Sequence, residues 1–199
     1  MIDNRPPTLR VVDAFELSDN YRSLLRPGET FADREGKVRR LPRFFYEVDA
    51  WQTALDVRLT SNFALWEFIN IDLREAEPLR IFPRYVPCAV ALTAAYLQLF
   101  REKVGAPVRI AANGGYRSPA HSLSTHASPH NWATGVNVYR VGNDYMDVKE
   151  NIERYAQVAT SVAQSVWARP FGYSPGFTID RLHVDLGYVT VTPHGFSEE

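Results

Sequence analysis

The chain has 199 residues, 45% of them apolar and 23% charged, with a formal net charge of -1. That length suits one domain with a real core, and the near-neutral balance gives no global field that would draw the chain onto nucleic acid or an acidic membrane. The lone cysteine, Cys88, excludes an intramolecular disulfide and a cysteine-based zinc site.

The opening segment, Met1-Ile2-Asp3-Asn4-Arg5-Pro6-Pro7, lacks the basic and apolar regions of a signal peptide. No apolar run is long enough for a membrane span. The sequence as written is therefore expected to stay in the cytoplasm, so that action on a cell wall would need another route of release. Residues 1–57 carry no chemical motif and read as an N-terminal extension packed on a domain formed by 58–199. Within the extension, Arg26-Pro27-Gly28-Glu29 and Arg34-Glu35-Gly36-Lys37 read as turns. Arg43 to Val48 reads as a strand, and its aromatic residues read as packing.

Ser61 or Asn62 is placed to cap a short helix carrying Phe63, Trp66 and Glu67. A long helix is expected after Pro83, with Val86, Val90, Thr93, Leu97, Phe100 and Val104 recurring at helical spacing and Gly105 as its stop. Cys88, among apolar neighbours, reads as a small buried hydrophobe. Val108 to Ala112 reads as a strand. Residues 116–137 are rich in Ser, His, Pro and Asn without a steady period, which predicts a structured functional loop with one helical turn after Pro119. Val136 to Tyr139 then reads as a strand, 147–167 as a second helix, and Arg181 to Gly187 as an alternating strand with Tyr188 to Val191 pairing nearby. Helices packed on a small, mainly antiparallel sheet give an α+β fold. Nothing in the pattern sets an oligomeric state.

Three of the five histidines, His121, His126 and His130, fall within ten residues, and His183 follows in a strand. Such clustering points to a metal or acid–base site. A zinc hydrolase needs neutral imidazoles on the ion, an open position for water and a carboxylate to take the water's proton. His130, His183 and Asp180 supply those residue types.

Gly115-Tyr116-Arg117-Ser118-Pro119 resembles the G-Y-R-S-P signature of the LAS-type D-Ala-D-Ala metallopeptidases. Ser128-Pro129-His130 is similar to that family's S-x-H, and Asp180-Arg181-Leu182-His183 to its D-x-x-H. Leu59 to Phe68 looks like the family's lead-in, so the likeness spans roughly residues 58–190. The resemblance implies one zinc ion held by His130 and His183, with Asp180 as the base that deprotonates the bound water. It implies that Arg117 stabilises the substrate carbonyl or fixes a terminal carboxylate, which suits a planar five-donor cation. Ser128 would hold substrate or brace the loop; a local turn bond is its plainer reading. Asp185 reads as structural, bonding backbone at the strand end. The implied substrate is a peptidoglycan peptide.

The likeness departs at the third ligand. The family continues H-x-x-G-x-A-x-D, where this chain has Ala133 for the Gly, Gly135 for the Ala and Asn137 for the Asp. A neutral amide is a poorer zinc ligand than a carboxylate. Three readings stay open. Zinc still binds through His130, His183 and either Asn137 or His126, and the protein is a peptidase. The metal is lost and the domain binds cell-wall peptide or a protein partner. Or the residues form a polar cluster of purely structural use. Pro129 weighs against a helix that would bring His126 to His130.

Overall fold

The computed structural model describes residues 8–70, 72–173 and 181–197. In chain order the elements are β1 (Arg10–Asp13), α1 (Asp19–Leu25), β2 (Thr30–Ala32), β3 (Val38–Arg40), β4 (Phe44–Val48) and α2 (Trp51–Asp56). They continue with α3 (Glu77–Arg80), β5 (Arg84–Pro87), α4 (Val90–Val104), β6 (Val108–Ile110), β7 (Gly135–Val141) and β8 (Asp144–Tyr145). The last are α5 (Lys149–Thr160), β9 (Trp167–Ala168) and β10 (Leu182–Asp185). The fold is α+β with small antiparallel sheets.

The sheet that matters for the site runs β6-β7-β10-β9, with β8 on β7. Side chains alternate across a strand, and directly opposed residues share a face. β7 and β10 pair with Val138 opposite Leu182, Asn137 opposite His183 and Val136 opposite Val184. The apolar residues of this set point into the core, where all four are buried. The alternate positions, Asn137 and His183, therefore meet on the other face.

The core is closed from behind by α4. Its buried residues Val90, Thr93, Ala94, Leu97 and Phe100 recur at one-turn spacing. Gly105 ends the helix at φ 63, a left-handed conformation that glycine adopts without strain. The helix starts later than the apolar period suggests. Val86 belongs to β5, which pairs with β4, and the chain turns at Cys88 before the helix begins. Cys88 is buried, and burial pushes its thiol up to about 12. Tyr96 Oη donates to the Ala159 carbonyl at 3.1 Å and ties α4 to α5.

The described residues of the 1–57 segment, 8–57, are built into the fold. Their β1 and β4 form one sheet with β5 from the following segment. β2 and β3 form a hairpin with Gly36 in the turn. That hairpin docks on the 116–137 loop: Ala127 N donates to the Ala32 carbonyl at 2.7 Å. Leu41, Ala127 and Trp132 make a small core of their own beneath it.

Other expectations shift in detail. The turn at Leu65–Glu67 is a single 3-10 turn preceded by Ala64, not by Ser61 or Asn62, because the Glu67 carboxylate reaches back to accept from Ala64 N. The helical turn of the long loop lies at Pro129–Trp132 rather than after Pro119. α5 ends at Thr160, short of 167, where Ser161 caps it. Tyr188 to Val191 form no strand.

The lead-in segment positions the Gly-Tyr-Arg stretch through backbone contact. Tyr116 N donates to the Phe68 carbonyl at 2.8 Å. A Cβ on Gly115 would stand 2.3 Å from that same carbonyl oxygen. Backbone, not a flexible side chain, would have to move. Gly115→Ala is therefore expected to lower unfolding free energy by roughly 1–3 kcal/mol, as overpacking does. Denaturant melts of the two proteins check this, and equal midpoints would contradict it.

Candidate functional site

His130 sits in the 3-10 turn after Ser128 and is buried. Its Nδ1 lies 2.8 Å from the Gly115 carbonyl. A carbonyl only accepts, so Nδ1 carries the proton and Nε2 keeps its lone pair. His183 is also buried, and its Nε2 lies 3.0 Å from Asp185 Oδ2. His183 and Asp185 are two apart on β10 and so share a face. The carboxylate accepts a hydrogen bond from Nε2–H, which leaves the lone pair on Nδ1. Asp185 also accepts from Gly187 N at 2.8 Å, which holds the carboxylate in place.

The two rings lie 5.1 Å apart. Burial pushes the His130 pKa well below the usual histidine range, with Arg117 and His183 adding to it. Burial also lowers that of His183, against the opposing pull of Asp185. Both rings are neutral at neutral pH, each with one lone pair of fixed position.

Asn137 meets His183 across the strands, with Oδ1 placed 2.9 Å from Nδ1. A neutral ring protonated at Nε2 needs a donor at Nδ1, so the hydrogen-bond network assigns the amide NH2 to that side. The Asn137 backbone is held on both sides: its N–H donates to Gly114 O at 2.8 Å and its carbonyl accepts from Ala111 N at 2.7 Å. The two changed small residues also have local consequences. Ala133 takes φ 57, where an L-residue is strained and glycine is not. Gly135 faces the site, and a Cβ there would stand 3.3 Å from His183 Cε1.

Arg117 is half-buried, and its Nε is buried with no hydrogen-bond partner among the described residues. Burial, together with the cations Arg74 and Arg169, pulls its pKa down to about 10. It remains charged at neutral pH. A desolvated donor left unpaired is costly, which makes this guanidinium a natural anchor for an incoming carboxylate or carbonyl oxygen.

The loop carrying these groups is fastened by residues outside any motif. Asn131 is buried; its Nδ2 donates to the Arg117 carbonyl at 3.0 Å and its Oδ1 accepts from Ser128 N at 2.9 Å. Glu75 accepts from Ser118 N at 3.0 Å and from the Ser118 hydroxyl. Asp72 pairs with His121 Nε2 at 2.8 Å and with Arg74. Thr93 of α4 donates to the Ala133 carbonyl at 2.7 Å.

The structure thus brings together Arg117, His130, Asn137 and His183, with Ser128 in the same turn as His130. It does not bring His126 to them. Both ring nitrogens of His126 are engaged at the rim, one by Arg34 Nε at 2.8 Å and one by Thr125 Oγ1 at 3.0 Å. Asp180 lies outside the described residues. Among the described residues, no three His, Cys, Asp or Glu side chains stand together as a metal-holding group, and no helix is long and apolar enough to cross a membrane.

Sequence reading missed the brace at Asn131 and the acids Asp72 and Glu75. Asn131 lies beside His130 and offered a local signal as a turn residue. The acids lie 43 or more residues from their loop partners Ser118 and His121 and offered none. Asp185 bonds backbone as expected of it and also orients His183.

Comparison with protein-family models, curated proteins and solved structures finds no match.

The Asp72 carboxyl is exposed to burial, which raises its pKa, but bonds from Arg74 and His121 outweigh this and hold it at about 2. A depressed carboxyl stabilises the fold above its unfolded pKa of 3.8 and loses that contribution as pH falls through about 2. Asp72→Asn is expected to cost roughly 1.5–3 kcal/mol at pH 7, as for hydrogen bonds to a charged group. The gap from the parent protein should close on acidification below the unfolded pKa. Melting curves across that range check the sign.

Proposed function

We propose that this chain is a zinc-dependent peptidase-like protein acting on peptidoglycan peptides, of the D-Ala-D-Ala carboxypeptidase or endopeptidase type. One observation carries the reading: two buried histidines stand close together, each held from behind by an acceptor, Gly115 O for one and Asp185 Oδ2 for the other. Metal-ligating histidines are held in this way, by a carbonyl or carboxylate on the far nitrogen.

The residues fit the ion with two strong ligands. Imidazoles sharing a tetrahedral zinc at 2.0–2.1 Å per nitrogen have ring centres about 5 Å apart, and the His130–His183 separation is 5.1 Å. His130 Nε2 and His183 Nδ1 would hold the zinc. The Asn137 oxygen would be a third, neutral ligand. Bound zinc would supply a Lewis acid and lower the pKa of a water.

The chain's own residues do the rest. Arg117 binds the terminal carboxylate or the oxygen of the scissile carbonyl through its cationic guanidinium. Asp180, three residues before His183 in sequence, would take the proton of the attacking water and return it to the leaving amine. Ser128 would align the peptide beside His130. Asp185 holds His183 in the tautomer that leaves Nδ1 unprotonated.

A second reading is favoured by the Asn137–His183 bond. The amide NH2 satisfies the Nδ1 lone pair without an ion, as a carboxylate cannot. In that reading the domain is metal-free and serves as a peptidoglycan- or protein-binding module through Arg117.

Zinc titration separates the two. The peptidase reading predicts about one zinc per chain and chelator-sensitive cleavage of peptidoglycan peptides. Asn137→Asp is expected to raise zinc affinity by at least the roughly 10-fold typical of a changed ligand environment. No zinc bound by the parent chain, with retention on cell-wall sacculi and no turnover, would select the binding module. A flat response to Asn137→Asp would place Asn137 outside the ligand set.

A further inference from the structure

A second site lies under the β2–β3 hairpin, away from the histidines. It is a cleft of about 350 Å³ between the hairpin, the stretch leading into β4, and the chain after β10. A volume in this range suits a small ligand. Its lining contains Arg39, Arg40 and Arg43 and no carboxylate. The remaining walls are largely apolar, with the rings of Phe15, Phe44 and Tyr188.

The cations are held against those rings. The Arg39 guanidinium stands 4.4 Å from the centre of Tyr188, and that of Arg43 lies 4.9 Å from Phe15 and 5.2 Å from Phe44. Gly28 allows this wall to close: a Cβ there would meet the Phe15 ring at 2.9 Å. Two of the three charges have acids behind them. Arg39 pairs with Asp33 at 3.1 Å and Arg43 with Asp13 at 2.7 Å. Arg40 has no ion pair or side-chain hydrogen bond among the described residues. The lining therefore includes one exposed arginine without a paired acid, flat rings on the walls and two further guanidiniums held against those rings.

We infer that this cleft binds a small organic oxyanion, a carboxylate or phosphate ester carried on a flat apolar body. The oxyanion takes the Arg40 charge and the flat body lies among the arginine-backed rings. The inference is independent of the zinc and peptidase reading, since the two sites share no residue.

Calorimetry with N-benzoylglycine and phenyl phosphate at low salt tests it, with neutral N-benzylacetamide as the control. Saturable one-to-one binding is expected for at least one anion, and at least 10-fold weaker binding for the control. Binding of both anions means the shared oxyanion is read; binding of one names its headgroup. Arg40→Glu should weaken binding at least 10-fold. Val38→Trp, at a lining position that is 64% exposed, should block the cleft by bulk without touching the charge. Arg117→Ala should leave binding within twofold. No saturable binding by the parent chain, equal binding of the neutral control, or loss with Arg117→Ala but not with Arg40→Glu overturns the proposal. Either cleft variant suffices, so misfolding of one does not spare it.

Discussion

The antiparallel pairing of β7 with β10 sets where everything else in the site can stand. Val136 and Val138 face Val184 and Leu182 in the core, so Asn137 and His183 must face each other outside it. A slip of one residue would bury the polar pair and expose the valines. The register is thus enforced by apolar burial, and the chemistry follows from it. The pairing also sets Asp185 on the same face as His183, where it accepts a hydrogen bond from the ring N–H. His130 joins from outside the sheet, because the Thr134 N–H and hydroxyl bond back to Pro129 while the Thr134 carbonyl accepts from Leu186 N. The loop is stitched to the end of β10 at the point where His130 needs to be.

A long loop without regular structure keeps its shape only if its buried polar groups are satisfied. Asn131 does this from within, and Asp72 and Glu75 from outside. The N-terminal segment adds a third brace: Trp132 Nε1 donates to the Arg40 carbonyl at 3.1 Å and its ring meets Tyr188 edge-on at 4.9 Å. Residues of the β2–β3 hairpin therefore form part of the framework behind His130. Arg117 Nε and Tyr116 Oη are buried beside each other in sequence without a hydrogen-bond partner among the described residues.

Much of the fold was legible from periodicity. The helix ending at Gly105, the strand at Val136 and the alternation Leu182-His183-Val184-Asp185 all follow from spacing and one stop residue. Boundaries were less legible, since tertiary pairing overrides local preference. Val86 has the helical period but is taken by β4, and Ser61 is a good cap that loses to the Glu67 carboxylate. In the site, His130, Asn137 and His183 were singled out from sequence and stand together. The special backbone at Ala133 was marked only as a place where glycine was expected, and its φ of 57 gives the physical reason for that preference. The long-range acids were invisible, because nothing in a local pattern records which buried donor a distant carboxylate will meet. The match between Asn137 and its ring is likewise a cross-strand fact, fixed by register rather than by neighbours.

The central claim is that His130 and His183 are neutral with opposite tautomers, held by Gly115 and Asp185. Long-range proton–nitrogen NMR correlation of the imidazole rings at neutral pH measures this directly. The account predicts a proton on Nδ1 of His130 and on Nε2 of His183. The reverse tautomer on either ring, or an imidazolium on either, would contradict it.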